Sequence, residues 1–269
     1  MFTLHNGDCI QVMPLLEAGS IDAIITDLPY GTTACKWDTV IEFAPMWKEV
    51  KRVLKPNGSF ITTASQPFTS ALIMSNPKFF KYEMIWNKVF GVSAINSKTR
   101  PMQAHENILL FYEKTVTFNP IYQERTEFRK TNPKHRKSDI DGRGYIAKDI
   151  DFIMSNKKNP VTVITINRFE KECNPVKRIH PTQKPVALYE YLIKTYTNEG
   201  ETVLDIAMGS GTTIEAAERT GRNSIGIEKD EGIFQSAVLR LKSFTPSNNR
   251  LQWTGGESPT LPGLSTPEV

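Results

Sequence analysis

Four consecutive residues, Asp27-Leu28-Pro29-Tyr30, bring together a carboxylate, a backbone carbonyl beside a proline, and a flat aromatic ring. The first two accept hydrogen bonds, proline helps hold the backbone in place, and the ring offers a π-face. As a bare string, the same residues also fit a tight turn with an Asp cap and a packed tyrosine.

A second stretch with chemical potential is Val203-Leu204-Asp205-Ile206-Ala207-Met208-Gly209-Ser210-Gly211-Thr212-Thr213. It reads as strand, glycine turn and helix, a unit that lets a ligand approach the backbone closely. Nineteen residues after Gly209 the next strand ends in Glu228, where a carboxylate commonly binds ribose hydroxyls. Two phosphate-binding patterns fail. A P-loop needs Gly-Lys-Ser/Thr, and Gly211 is followed by Thr212-Thr213; a dinucleotide fingerprint needs glycine at 214, which is Ile214. What remains is an adenosine-type ligand without a pyrophosphate, and S-adenosylmethionine fits.

The elements that must position these residues alternate. Strands are expected at Phe2–His5, Ile21–Asp27, Ser59–Ala64, Tyr82–Trp86, Asn107–Tyr112, Thr202–Ala207 and Asn223–Glu228. Helices are expected at Ile10–Glu17, Phe43–Leu54, Thr69–Ser75, Val186–Tyr196, Ile214–Arg219 and Ile233–Leu241. Gly31–Asp38 reads as a loop, and Lys55-Pro56-Asn57-Gly58 as a turn. Such alternation predicts a mostly parallel, doubly wound α/β sheet, whose ligands bind beyond the carboxyl ends of the strands. Asp27 closes one apolar strand and so falls at that edge.

The rhythm breaks between Lys114 and Arg178, where fifteen Lys and Arg stand against eight Asp and Glu. Within it, Arg129, Lys130, Lys134, Arg136 and Lys137 form a run without an acid. A solvated charged face is one reading; contact with phosphates is the other. The rhythm returns after His180-Pro181-Thr182-Gln183-Lys184-Pro185. From Ser243 the chain is rich in Pro, Ser, Thr and Gly and is expected to be disordered apart from Leu251-Gln252-Trp253.

Composition narrows the class. The 269 residues are 39% hydrophobic with a formal charge of +4, enough for one sizeable domain plus an insertion and only weak evidence for a polyanionic partner. Cys9, Cys35 and Cys173 form no zinc-spaced pair, so no structural metal and a reducing compartment are expected. No signal peptide is visible, and no apolar run reaches the ~18 residues a membrane span needs. None of the cysteines follows a proline, which excludes the Pro-Cys nucleophile of cytosine-C5 chemistry.

Together these pieces resemble the amino-group DNA methyltransferases that use S-adenosylmethionine. That family carries an (Asp/Asn/Ser)-Pro-Pro-(Tyr/Phe) catalytic motif and a Phe-x-Gly-x-Gly cofactor motif, matched here by Asp27–Tyr30 and Ala207–Gly211. The order is similar to the circularly permuted β group: catalytic motif, basic insertion, His-Pro-Thr-Gln-Lys-Pro, then the cofactor glycines. Asn6-Gly7-Asp8, Arg100 and His105-Glu106 also resemble that group. The likeness spans roughly Leu4 to Leu241. Leu28 replaces the family's first proline, Ala207 its phenylalanine and Ile206 a proline; none removes a reacting group.

The resemblance implies a Rossmann-like methyltransferase sheet in permuted order. Residues 1–114 and 179–243 would be its two halves, 115–178 a target-recognition insertion, and 244–269 a disordered tail. It implies catalysis by Asp27, Leu28, Pro29 and Tyr30, and a cofactor pocket of Asp8, Lys184, Asp205, Gly209, Gly211, Thr212 and Glu228, with Lys184 near the methionine end. Arg129, Lys130, Lys134, Arg136 and Lys137 would contact DNA. Double-stranded DNA is the expected substrate, adenine N6 the expected target, and the cytoplasm of a bacterial or phage-infected cell the expected place. A homodimer and a cognate restriction endonuclease are candidate partners. Cytosine N4 chemistry, a catalytically dead DNA-binding subunit and an RNA substrate stand as alternatives.

Overall fold

The computed structural model describes residues 1–33, 35, 38–92, 97–124, 157–168, 183–244 and 251–254. It divides into two units, one of residues 1–119 with 162–269 and one of residues 120–161.

The larger unit holds a nine-stranded sheet. Its strands are β1 (Phe2–Asn6), β2 (Ile21–Thr26), β3 (Leu54–Ala64), β4 (Phe80–Val92), β5 (Gln103–Phe111), β8 (Val163–Thr165), β9 (Thr202–Asp205), β10 (Asn223–Glu228) and β11 (Leu251–Thr254). They lie in the order β11-β1-β10-β9-β2-β3-β5-β4-β8. Only β5 runs against its neighbours. In the smaller unit, β6 (Gln123–Glu124) and β7 (Lys157–Lys158) pair antiparallel.

Successive strand residues alternate between two cores, as the pleat requires. Ile24, Phe60, Leu109 and Leu204 face a cluster with α1 (Cys9–Val12), α2 (Phe43–Val53) and α3 (Phe68–Ser75). Ala23, Ile25, Ile61, Ile108, Leu110 and Val203 face the other way, toward α4 (Val186–Tyr196) and α5 (Thr212–Arg219). Helix α6 (Glu231–Phe244) packs Phe234, Ala237, Val238 and Leu241 on Phe2 and Leu4. In α2 the buried residues Met46, Trp47, Val50 and Val53 fall at helical spacing, and Trp47 reaches between Phe60 and Phe111, each at 5.0 Å.

Several elements depart from the sequence reading for physical reasons. The expected helix over Ile10–Glu17 is the short α1 followed by a tighter 3-10 turn at Met13–Leu15, because Pro14 has no N–H to continue the ladder. The Lys55–Gly58 turn lies inside the bounds of β3: Ile21 pairs with Leu54 and Ala23 with Ser59, so four residues loop out between them. Strands β4 and β5 run past their apolar segments because their polar residues pair with one another, Asn87 opposite His105 and Trp86 opposite Glu106. Val163–Thr165, placed in the insertion by sequence, joins the main sheet beside β4. In the tail, the stretch expected as an exception to disorder is β11, parallel to β1, whose edge offers it a ladder.

The strand order sets the site. From β2 the chain crosses to β3 on one side, and from β9 it crosses to β10 on the other. The crevice between β2 and β9 is therefore the topological switch point of the sheet.

Candidate active site

Asp27 follows the last residue of β2, and Asp205 is the last residue of β9. A cleft of about 830 Å³ opens between these two strand ends. Asp8, Asp27, Leu28, Pro29, Tyr30, Lys184, Asp205, Gly209, Thr212 and Glu228, all singled out by sequence, line it. Gly211 does not. Its φ of +77° makes the left-handed turn into α5, and a Cβ there would press on Leu241 at 3.0 Å. Arg129, Lys130, Lys134, Arg136 and Lys137 lie outside the described residues, as do Trp37, Cys173 and the His180-Pro181-Thr182 segment.

Asp27 is the centre of a dense polar arrangement. Tyr30 Oη donates to its Oδ1 at 2.8 Å, and Thr63 Oγ1 donates to the same oxygen. Lys184 Nζ donates to Oδ2 at 2.5 Å. A carboxylate has about four lone-pair directions, so these donors leave one on Oδ2. The side chain keeps 24% of its surface exposed, enough to present that acceptor to the cleft.

The neighbours of Asp27 are fixed in turn. The Tyr30 ring stacks on Phe68 with centroids 5.2 Å apart. Burial, then the charges of Asp27 and Glu106, push its phenol well above its ordinary range, so it remains a donor. Leu28 is 3% exposed and belongs to the core under α2. Its side chain serves packing, which explains how leucine stands where the family has proline. The backbone after Tyr30 is gathered by Asp38, whose carboxylate accepts the N–H groups of Gly31, Thr32 and Thr33 at 2.8, 2.9 and 2.7 Å.

Lys184 lies inside the site. It is 9% exposed, with Glu106 Oε2 at 3.3 Å besides Asp27. Burial opposes its charge, but Asp27 and Glu106 outweigh burial and raise its pKa, so it stays an ammonium.

The other half of the cleft is built by the glycine turn and β10. Gly209 has φ +51° and nothing within 4 Å of where a Cβ would lie, so the turn leaves open space there. Its N–H donates to Glu228 Oε2 at 3.0 Å, and the Asp230 N–H to Oε1 at 2.8 Å. Burial nonetheless raises the pKa of Glu228. Asp205 is 2% exposed and accepts Thr26 Oγ1 at 2.7 Å and the Ala207 N–H at 3.1 Å. Burial pushes it up to about 6. Asp8 caps α1 through the Ile10 N–H at 2.9 Å and meets Lys229 at 3.0 Å. Burial works against its charge, but these two donors prevail and hold it below its ordinary value. From α6, Arg240 donates to the Ser210 carbonyl at 2.7 Å, which ties down the turn.

Sequence reasoning missed Thr63, Asp38 and the partners of Lys184. Register could have found the first: Thr26 pairs with Thr62, so Thr63 comes level with Asp27. Asp38 and the partners of Lys184 carry no local signal, because loop closure and packing set these contacts.

A parallel sheet with its switch-point cleft ringed by these groups defines a Rossmann-like methyltransferase. The chain superimposes on the M1.HpyAVI–SAM complex with a TM-score of 0.61 and 26% identity, covering 90% of this chain and 99% of that one. The cytosine-N4-specific PvuII DNA methyltransferase shares the fold, with a TM-score of 0.61 and 20% identity over 92% of this chain and 89% of that one. A family model described as DNA methylase, of the N6/N4 type, matches residues 21–239, and the chain belongs to that family. Its curated relatives include the type II methyltransferase M.HpaI of Haemophilus parainfluenzae, 31% identical over 88% of this chain and 73% of the relative. They also include the DNA adenine methyltransferase YhdJ of Escherichia coli (strain K12), 27% identical over 89% and 82%.

As a family member the chain uses S-adenosylmethionine and acts on an amino group of DNA, adenine N6 or cytosine N4. The cleft suits that cofactor. Asp8, Asp27, Asp205 and Glu228 give it a negative lining for a sulfonium cation, and the open space at Gly209 admits a ligand against the backbone. No helix among the described residues is long and apolar enough to cross a membrane.

Proposed function

We propose that the chain methylates the N6 amino group of adenine in double-stranded DNA by direct transfer. The observation that carries this reading is Asp27, held by three donors at the floor of the cleft with one acceptor direction to spare. Bound S-adenosylmethionine supplies an electrophilic methyl group on a positively charged sulfur.

An exocyclic amino group is a poor nucleophile because its lone pair is delocalised into the ring. Asp27 Oδ2 accepts one amino hydrogen and the Leu28 carbonyl accepts the other. The nitrogen then becomes pyramidal, its lone pair free of the ring. The carboxylate also stabilises the positive charge that develops on nitrogen, so positioning and electrostatics do the work. The target base leaves the duplex and stacks on Tyr30, one of whose faces Phe68 occupies. Asp8, Asp205 and Glu228 hold the cofactor, and the Arg129–Lys137 run holds phosphates.

Adenine is favoured over cytosine by the first residue of the motif. Family members that act on cytosine N4 usually carry Ser there, and those that act on adenine carry Asp or Asn. The name of the relative YhdJ, an adenine methyltransferase, supports the same base. Nucleoside mass spectrometry of DNA treated with the enzyme tests the reading. N6-methyladenine is expected; N4-methylcytosine without it would overturn the base assignment.

A further inference from the structure

Behind Asp27 lies a chain of buried charges that the methyl transfer does not require on its face. Asp27 meets Lys184, Lys184 meets Glu106, and Glu106 meets Lys88. Lys88 is 5% exposed, and the Glu106 side chain keeps 12% of its surface exposed. Negative and positive groups alternate along it, ending at Lys88 toward the far end of β4.

The position of Lys88 is unusual. Along β4 the inward residues are Met84, Trp86 and Lys88. The first two belong to the core beneath α4. A lysine at the third inward place costs desolvation that a leucine would not. Burial indeed lowers the pKa of Lys88 despite Glu106. Glu106 stands opposite Trp86 in the ladder, one diagonal from Lys88, with Asn107 and then core residue Ile108 following it. Burial opposes its charge too, but Lys184 and Lys88 outweigh burial and keep it a carboxylate. Immediately after Lys88, Val89 adopts φ +71°, a conformation that β-branched residues rarely take. These are costs to stability, gathered next to the site.

We propose that Glu106 is a positioning residue for the methyl transfer: anchored by Lys88, it holds the Lys184 ammonium against Asp27 Oδ2 and so fixes the orientation of the carboxylate. The inference rests on the proposed meeting of Asp27 with the amino group. Lys184 Nζ has three donors on a flexible stem. Without the pull of Glu106 the ammonium would be less restrained from the acceptor direction that the substrate needs. The charge of Glu106, 3.3 Å from the ammonium though not hydrogen-bonded to it, draws it away from the remaining direction on Oδ2.

The test uses the full-length enzyme, unmethylated DNA of mixed sequence and labelled S-adenosylmethionine. Glu106→Gln keeps the shape and removes the charge. It is expected to lower kcat by about 10- to 100-fold, the scale of a small misplacement of a reacting group. KM for DNA and the calorimetric Kd for the cofactor are expected to stay within about threefold. Glu106→Leu combined with Lys88→Met replaces the inner pair by apolar groups. It is expected to match or exceed the parent in Tm and still be slow, a split that a merely structural pair would not produce. In single turnover, Glu106→Gln is expected to cost nothing further in a Lys184→Met background. A kcat within twofold of the parent in either Glu106 variant, or losses that simply add in the Lys184→Met background, would overturn the inference. The Asp27→Ala variant separates the two levels. If it retains turnover, the role of the carboxylate itself falls. If it is inactive while Glu106→Gln is unaffected, only the role of Glu106 falls.

Discussion

Asp27 and Lys184 stand 157 positions apart in the chain, and their side chains meet at 2.5 Å. One follows a strand of the first half; the other precedes the helix that opens the second. Neither half alone makes the pair, and the cleft around it exists only where β2 and β9 lie side by side. The groups proposed for catalysis and those proposed for the cofactor are thus held by one stretch of backbone pairing.

Asp27→Ala removes the carboxylate proposed to face the amino nitrogen. Turnover is expected to fall by about a thousandfold or more, at the upper end of what one preorganised electrostatic contact contributes. Cofactor binding, read by calorimetry, is expected to persist, because Lys184 keeps Glu106 as a partner. Near-normal turnover would remove Asp27 from the chemistry.

Leu28→Ala separates side chain from carbonyl. The buried leucine packs in the core, so its truncation is expected to cost about 2–5 kcal/mol in denaturant unfolding. At a temperature where the variant is folded, kcat is expected to stay within about tenfold of the parent, since the carbonyl remains. A stable but inactive variant would argue that the side chain itself shapes the site.

Glu228→Ala removes a carboxylate from the cleft wall and leaves the Gly209 and Asp230 N–H groups without it. Loss of a charge-assisted hydrogen bond costs about 1.5–3 kcal/mol, so cofactor Kd is expected to rise by one to two orders of magnitude. The single-turnover rate at saturating cofactor is expected to change much less. An unchanged Kd would take Glu228 out of the pocket.

Asp205 makes stability depend on pH. Burial raises it from 3.8 to about 6 in the folded chain. Well below pH 3.8 it is protonated in both states and has no effect. Between 4 and 6 the unfolded chain ionises first, so stability falls as pH rises; above 6 the penalty is complete. Two units correspond to about 3 kcal/mol. Asp205→Asn is therefore expected to stabilise the cofactor-free protein by about 2–3 kcal/mol at pH 7.5 and by almost nothing at about pH 3. Urea unfolding at the two pH values checks this; a gain independent of pH would refute the cause.

Replacing Arg129, Lys130, Arg136 and Lys137 with Gln tests the basic run in solution. For every phosphate that the variant no longer neutralises, the slope of log K against log salt is expected to flatten by roughly 0.9. A slope equal to the parent's would make the run a solvated face.

Much of this architecture was legible because it rests on local pattern. Ile21–Thr26 reads as a buried strand from its β-branched run, and Val186–Tyr196 and Asn223–Glu228 appear with the bounds expected. Order along the chain was informative as well, since it put Asp27 before Gly209. What could not be read depends on register and packing. Glu106 acquires its meaning from lying across from Trp86 and beneath Lys184, contacts that join three separate segments. Thr63 needed the pairing of β2 with β3, and Pro14 shortened a helix that periodicity alone would have continued.

The placement of β1 has a consequence for how the enzyme is made. Phe2–Asn6 is translated more than 200 residues before either of its sheet neighbours, Asn223–Glu228 and Leu251–Thr254. Translation adds some 5–20 residues each second, so the first strand waits many seconds for its partners, its backbone edges open to chaperones. The glycine turn emerges equally late. A chain cut before the glycine turn carries Asp27 but lacks Asp205, Gly209 and Glu228, which line the other half of the cleft.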